Sequence, residues 1–103
     1  MLEEKTLHEI HSRITHEYGK CSVYLFGSHA YGSPGPGSDV DIAVILQQVS
    51  SKVREANRIH DILSDIPYPK DIVVGSEQEF DFYKTRAGSI YRTIAEKGLQ
   101  LHD

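Results

Sequence analysis

The sequence predicts an α/β (α+β) domain, a small mixed β-sheet flanked by helices, and three observations predict it. Apolar residues recur at the three-and-four spacing of an amphipathic helix in residues 6–18 and again in residues 53–66. Between and after these stretches lie short runs rich in Val, Ile, Tyr and Phe, the composition of buried strands. Glycine and proline fall where one pattern gives way to the next. Helices interspersed with strands in this order place helical layers against one sheet.

Taken in order, Leu7, Ile10, Ile14 and Tyr18 form the apolar stripe of a first helix, with Thr6 and Glu9 spaced as a capping box and Gly19 as the stop. Val23, Tyr24, Leu25 and Phe26 follow as a strand covered on both faces, ending at Gly27. Residues 32–38, GSPGPGS, exclude regular structure and form a turn or loop. Asp39 to Leu46 alternates as a second strand that carries two acids at its start. Ser50 or Ser51 caps a helix whose stripe is Val53, Ala56, Ile59, Leu63 and Ile66, and Pro67 ends it. Asp71 to Val74 forms a third strand. Ser76 and Glu79 again fit a capping box, and Phe80, Tyr83, Ile90 and Ile94 continue helical spacing to Gly98 with a break near Gly88. Leu99 to His102 either adds a short strand or frays. With no repeat, linker or second composition zone, residues 1–103 read as one domain.

Composition bounds the function. Apolar residues at 39% and charged residues at 25% are those of a globular chain. A net charge of −4 lacks the broad basic face by which proteins hold long RNA or DNA, so long nucleic acid is not an expected partner. No apolar run is long enough to span a bilayer, and the start Leu2, Glu3, Glu4, Lys5 is unlike a secretory signal, so the expected location is the cytoplasm. Cys21, the one cysteine, excludes an internal disulfide and a cysteine-based zinc site, and reads as a semi-buried residue.

Asp39 and Asp41 carry the strongest chemical signal. Residues two apart on a strand face the same way with Cα atoms roughly 6.5–7 Å apart, so two carboxylates there repel. A hard divalent cation such as magnesium, bound through oxygen ligands, resolves that repulsion. The alternative is a strand that starts at Val40, with both acids in solvent as turn residues. Upstream, Gly27 and Ser28 follow a strand and open a helical turn whose free amides and hydroxyl suit a phosphate. Gly32 ends that turn, and the Pro and Gly residues at 34–37 return the chain so that the second strand lies beside the first.

Gly27-Ser28-His29-Ala30-Tyr31-Gly32 followed by Ser38-Asp39-Val40-Asp41 resembles the signature of the polymerase-beta-type nucleotidyltransferases, and most of all their minimal branch. The resemblance implies that family's fold and activity, with nucleotide contacts from Gly27, Ser28, His29, Gly32 and Ser38. It also implies a third carboxylate at the head of the third strand, which Asp71 matches, although Asp71 also fits a turn residue after Pro69. Asp39, Asp41 and Asp71 would then be both the metal ligands and the catalytic residues for two magnesium ions and an NTP, with Asp71 also accepting the proton of the attacking hydroxyl. One departure stands out. Many members carry Arg directly after Gly-Ser, whereas His29 lacks the forked, permanent charge and either donates one hydrogen bond to a phosphate or faces solvent.

Lesser candidates complete the reading. Lys70 and Lys52 are the nearest cations by sequence for a phosphate, or simply solvated surface charges. His8 and His11, three apart on a helix, lack a third ligand and read as surface residues rather than a zinc site. Tyr31 reads either as a stacking residue for base or ribose or as packing.

In the minimal branch the resemblance implies a partner, a small all-helical HEPN protein, for which the nucleotidyltransferase serves as antitoxin by moving AMP from ATP to a tyrosine. A chain of 103 residues leaves little material for its own acceptor domain, which agrees with a separate acceptor. Two alternatives stay open: a non-catalytic module that neutralises a partner by binding, and an adenylyltransferase for a small-molecule hydroxyl. An oligomer is also compatible with so small a domain.

Overall fold

A computed structural model describes residues 2–32 and 39–102. The element order is α1 (Glu4–Tyr18), β1 (Ser22–Phe26), α2 (Ser28–Tyr31), β2 (Val40–Leu46), α3 (Lys52–Ile62), β3 (Lys70–Ser76), α4 (Glu77–Tyr83), α5 (Ile90–Lys97) and β4 (Leu99–Gln100). The four strands form one mixed sheet in the order β3-β2-β1-β4. β1 is antiparallel to β2 and to β4, and β2 is parallel to β3. A parallel pair needs a long crossover, and α3 supplies it.

Side-chain alternation along these strands divides the core in two. Val23 and Leu25, the even-numbered positions of β2 from Val40 to Leu46, and Ile72 and Val74 face α1 and α3, where Ile10, Ile14, Ile59 and Leu63 complete the main cluster. Phe26 and Ala43 face the other way and are buried with Ile94 of α5, and Tyr24, Val73 and Phe80 pack around them. Fully burying an aliphatic side chain of this size contributes about 1.5–3 kcal/mol, so the first face dominates stability. The second face carries fewer apolar groups and ends in the two acids Asp41 and Asp71.

The structure corrects several local expectations. α1 starts at Glu4, with Glu3 in the N-cap position and no side-chain cap hydrogen bond. Thr6 and Glu9 therefore lie inside the helix, and the acid in the first turn is Glu4, favourably placed against the helix dipole. Of the two serines before α3, Ser51 is the cap, its hydroxyl accepting from the Arg54 amide. The regular helix ends at Ile62, ahead of Pro67, and the chain reaches Ile66 through turns closed by Ser64 N–H to Asp61 O and Ile66 N–H to Leu63 O. Ile59, Leu63 and Ile66 are buried as the spacing predicts, but Val53, in the first turn of α3, is 72% exposed. β3 runs to Ser76, further than expected, and Ser76 with Glu79 does form a capping box at the start of α4. The break near Gly88 separates α4 from α5, and the tail after Gly98 adds β4 beside β1. Arg13 ties α1 to the end of α3 through both carboxylate oxygens of Asp65 and the carbonyl of Ile62.

Candidate active site

The register of the sheet assembles the acids. Phe26 pairs with Asp41 across β1 and β2, and Asp41 pairs with Asp71 across β2 and β3. Adjacent strands lie about 4.8 Å apart, and paired residues point to the same face, so Asp41 and Asp71 are direct neighbours. Asp39 immediately precedes β2 and is exposed, while Asp41 lies within the strand and is half-buried. The strand thus begins at Val40, as the turn alternative required, yet only Asp39 lies outside it.

Electrostatics reports the same crowding. Burial, then repulsion from Asp71 and from Asp39, holds the Asp41 carboxyl above the usual carboxylate range, and His29 opposes the shift. A carboxylate beside two others favours its charged form only when positive charge joins them.

Gly27 closes the site from the β1 side. Its φ of 74° and ψ of −161° lie in a region nearly restricted to glycine, and a Cβ placed there would overlap Oδ2 of Asp41 and stand 3.0 Å from its Cγ. The backbone at Gly27 therefore passes against the Asp41 carboxylate with no room for a side chain. Ser28 and His29 open α2, a single turn in which the Ala30 amide donates to the Gly27 carbonyl at 3.1 Å. Gly32 ends that turn in the left-handed conformation, its amide donating to the carbonyl of Ser28. Ser38 and the loop residues before it lie outside the described residues, as does the side chain of Tyr31.

The fold thus brings Gly27, Ser28, His29, Asp39, Asp41 and Asp71 to one end of the sheet. Other candidates fall away from it. Lys70 is neither a solvated charge nor aimed at the acids: its ammonium donates to the carbonyls of Ile66 and Tyr68, both at 2.8 Å, and burial lowers its pKa. Lys52 pairs with Glu79 at 2.5 Å, bridging α3 to α4. His11 is buried and His8 exposed, so the two do not form a shared surface pair. Cys21 is half-buried, as expected, and burial raises its thiol pKa. Sequence spacing did not single out the aromatic chain on the second face, where Tyr24 stacks on Phe80 at 5.5 Å and Phe80 meets the Tyr91 edge at 6.0 Å. The signal for it was the density of aromatics in residues 80–91.

A divalent cation fits this donor set by its chemistry, since all three groups are carboxylates and Asp71 and Asp39 both repel Asp41. Among the described residues no three or more His, Cys, Asp or Glu side chains already form a metal cage. An ion held here would therefore take part of its ligands from a bound phosphate or water, the usual situation for magnesium.

A family model described as a nucleotidyltransferase domain matches residues 7–100. No curated protein matches the chain. Among solved structures, a mutant of the toxin–antitoxin pair MntA–HpeT aligns at 21% identity over 98% of this chain and 73% of that one, with a TM-score of 0.67. A toxin–antitoxin structure with AMP-PNP aligns at 21% identity over 93% of this chain and 72% of that one, with a TM-score of 0.69. A Sulfolobus solfataricus protein described as a candidate nucleotidyltransferase aligns at 21% identity over 93% and 76% of the two chains, with a TM-score of 0.63. At such identity these structures share the fold. No helix among the described residues is long and apolar enough to cross a membrane.

Proposed function

From the premise that this chain belongs to the nucleotidyltransferase domain family, we propose that it transfers a nucleoside monophosphate, AMP from ATP, to a hydroxyl of a separate protein, and that Asp39, Asp41 and Asp71 carry the reaction. The observation that bears most weight is the in-register pair Asp41 and Asp71 with the side-chain-free backbone of Gly27 against Asp41. A pure binding module has no use for that close approach.

Asp39 and Asp41 would hold magnesium against the triphosphate. Magnesium bound there supplies charge neutralisation on the phosphates and on the leaving pyrophosphate. The start of α2 and the Ser28 hydroxyl would orient the β- and γ-phosphates, leaving the α-phosphorus towards the acids. Asp71, the more exposed member of the pair, takes the proton of the incoming hydroxyl. The acceptor oxygen forms a bond to the α-phosphorus, the bond from that phosphorus to the bridging oxygen breaks, and pyrophosphate departs. His29, beside these groups, adds a hydrogen-bond donor to phosphate.

The acceptor is a tyrosine of an all-helical HEPN-type partner, for which this chain acts as antitoxin. The support is the shared fold with structures described as toxin–antitoxin pairs, one of them with AMP-PNP. Incubation with each α-phosphate-labelled NTP, magnesium and the product of the adjoining reading frame tests this. Label from ATP on the partner is expected. Label on neither protein, or equal labelling by Asp41→Asn, refutes it.

A further inference from the structure

Lys70 opens β3, one residue before Asp71, and its side chain reaches back over the turn that precedes it. Pro67 and Pro69 have no N–H, so only Ile66 and Tyr68 bring backbone donors to residues 66–69. Both are engaged: the Ile66 amide donates to the Leu63 carbonyl at 3.0 Å and the Tyr68 amide to the Ile66 carbonyl at 2.8 Å. The Lys70 ammonium supplies the rest, donating to the carbonyls of Ile66 and Tyr68 at 2.8 Å each. Ile66 is buried in the main cluster and Tyr68 packs against it, so the cation ties the entry of β3 to a fixed point in the core.

The turn closed in this way touches both strands that carry acids. The Pro69 carbonyl accepts from the Val40 amide at 2.8 Å, at the start of the β2–β3 ladder. Val40 lies between Asp39 and Asp41, and its register partner is Lys70, as Asp71 is that of Asp41. A shift in the path of residues 66–69 therefore moves Asp71 against Asp41, together with the backbone that joins the two acids of β2.

Lys70 acts from the far side of the sheet. Successive strand residues alternate faces, so its side chain shares the face of Val40 and Ile72, whereas Asp71 projects from the other with Asp41. The charges that act on the Asp41 carboxyl are those of Asp71, Asp39 and His29. The influence of Lys70 on the acids thus runs through the backbone. A side chain that only capped the turn would cost folding stability when cut, with no change in the turnover of the folded molecules.

We propose that Lys70 is a positioning residue for nucleotidyl transfer: by closing the turn at residues 66–69 it sets Asp71, which takes the acceptor proton, against the pair Asp39 and Asp41. The inference rests on the transfer reading above, and its test separates the two. Lys70→Met keeps the apolar stem and removes the ammonium, and Lys70→Arg restores a cation with several donors. For the wild type and both variants, kcat and KM for ATP are measured at saturating magnesium from label passed to the product of the adjoining reading frame. Thermal unfolding gives the folded fraction, and calorimetry gives the affinity of each nucleotide-free chain for manganese. Misplacing a reacting group by about 1 Å costs about 10²-fold, so kcat per folded molecule should fall at least about ten-fold in Lys70→Met. KM should stay within about two-fold, because Gly27 and Ser28 are held by β1 and α2, and Lys70→Arg should recover most of kcat. Unchanged kcat per folded molecule in Lys70→Met overturns the proposal, as does an equal loss in Lys70→Arg. Lys70→Gln replaces Lys70→Met if the latter does not fold, and unfolding of both assigns Lys70 to stability alone and overturns it as well. A wild type that transfers no label refutes the transfer reading, and manganese then decides: weaker binding by Lys70→Met that Lys70→Arg restores supports the positioning of the acids, and equal binding by all three chains overturns it.

Discussion

Replacing Gly27 with Ala probes the contact on which the site is built. The alanine must adopt φ 74° and ψ −161°, a conformation that costs a side-chain-bearing residue about 1–3 kcal/mol. Its Cβ also overlaps Oδ2 of Asp41, the end of a side chain that can turn away. Turning it off its rotamer adds about 0.5–1.5 kcal/mol. The sum is about 1.5–4.5 kcal/mol, or a fall in Tm of roughly 6–36 °C at the 4–8 °C per kcal/mol typical of domains this size. Gly19→Ala is the control: it has a similar φ of 73° but nothing within 4 Å of a Cβ, so it should cost the conformational part alone. In an Asp41→Ala background the overlapping atoms are absent, and Gly27→Ala should cost about 0.5–1.5 kcal/mol less than in the wild type. Urea unfolding of the four proteins in this cycle measures the coupling. Additive effects within about 0.3 kcal/mol would refute the close approach of Gly27 to Asp41.

Further predictions concern charge, packing and caps. Because the folded-state pKa of Asp41 is raised, the native chain holds this proton more tightly than the unfolded one. Metal-free stability should therefore fall as pH rises from the ordinary carboxylate value through the raised one, and remain lower at neutral pH. Asp41→Asn should raise the metal-free Tm at pH 7, lose that advantage below the ordinary carboxylate pKa, and lose any stabilisation by magnesium, all readable by calorimetry across pH. Gly75→Ala forces a methyl within 2.6 Å of the Tyr91 hydroxyl and 2.8 Å of its ring, and should cost about 1–3 kcal/mol in urea unfolding. Ser76→Ala should cost about 0.5–2 kcal/mol by removing the hydroxyl that accepts from the Glu79 amide, whereas Thr6→Ala, at a position that caps nothing, should stay within about 0.5 kcal/mol in the same assay.

The acids were legible because strand alternation and glycine placement are local properties. Asp41 in a strand, Gly27 after one and Asp71 opening another could be read from spacing, and the register then set Asp41 beside Asp71. Pairing partners are not local, so the parallel sense of β2 and β3 and the position of β4 beside β1 came only with the structure. Helix starts were misjudged where two signals compete: Thr6 and Glu9 have the capping spacing, but Glu3 in extended conformation lets the helix begin sooner. Val53 fits the apolar period of α3, yet period does not say which turns of a helix are covered by the core. Lys70 looked like a surface charge because nothing in the sequence shows that two carbonyls from residues 66 and 68 converge on it.

We propose that these three carboxylates carry nucleotidyl transfer. The most direct test is the initial rate of pyrophosphate release and of label transfer from α-labelled ATP to the helical partner, at saturating magnesium, by the wild type, Asp41→Asn and Asp71→Asn. Loss of one electrostatic group from a site that works by positioning and charge typically costs about 10²-fold or more. Both products should appear in equal amounts with the wild type and fall by at least that factor in each variant, whereas wild-type rates in Asp41→Asn would contradict the account.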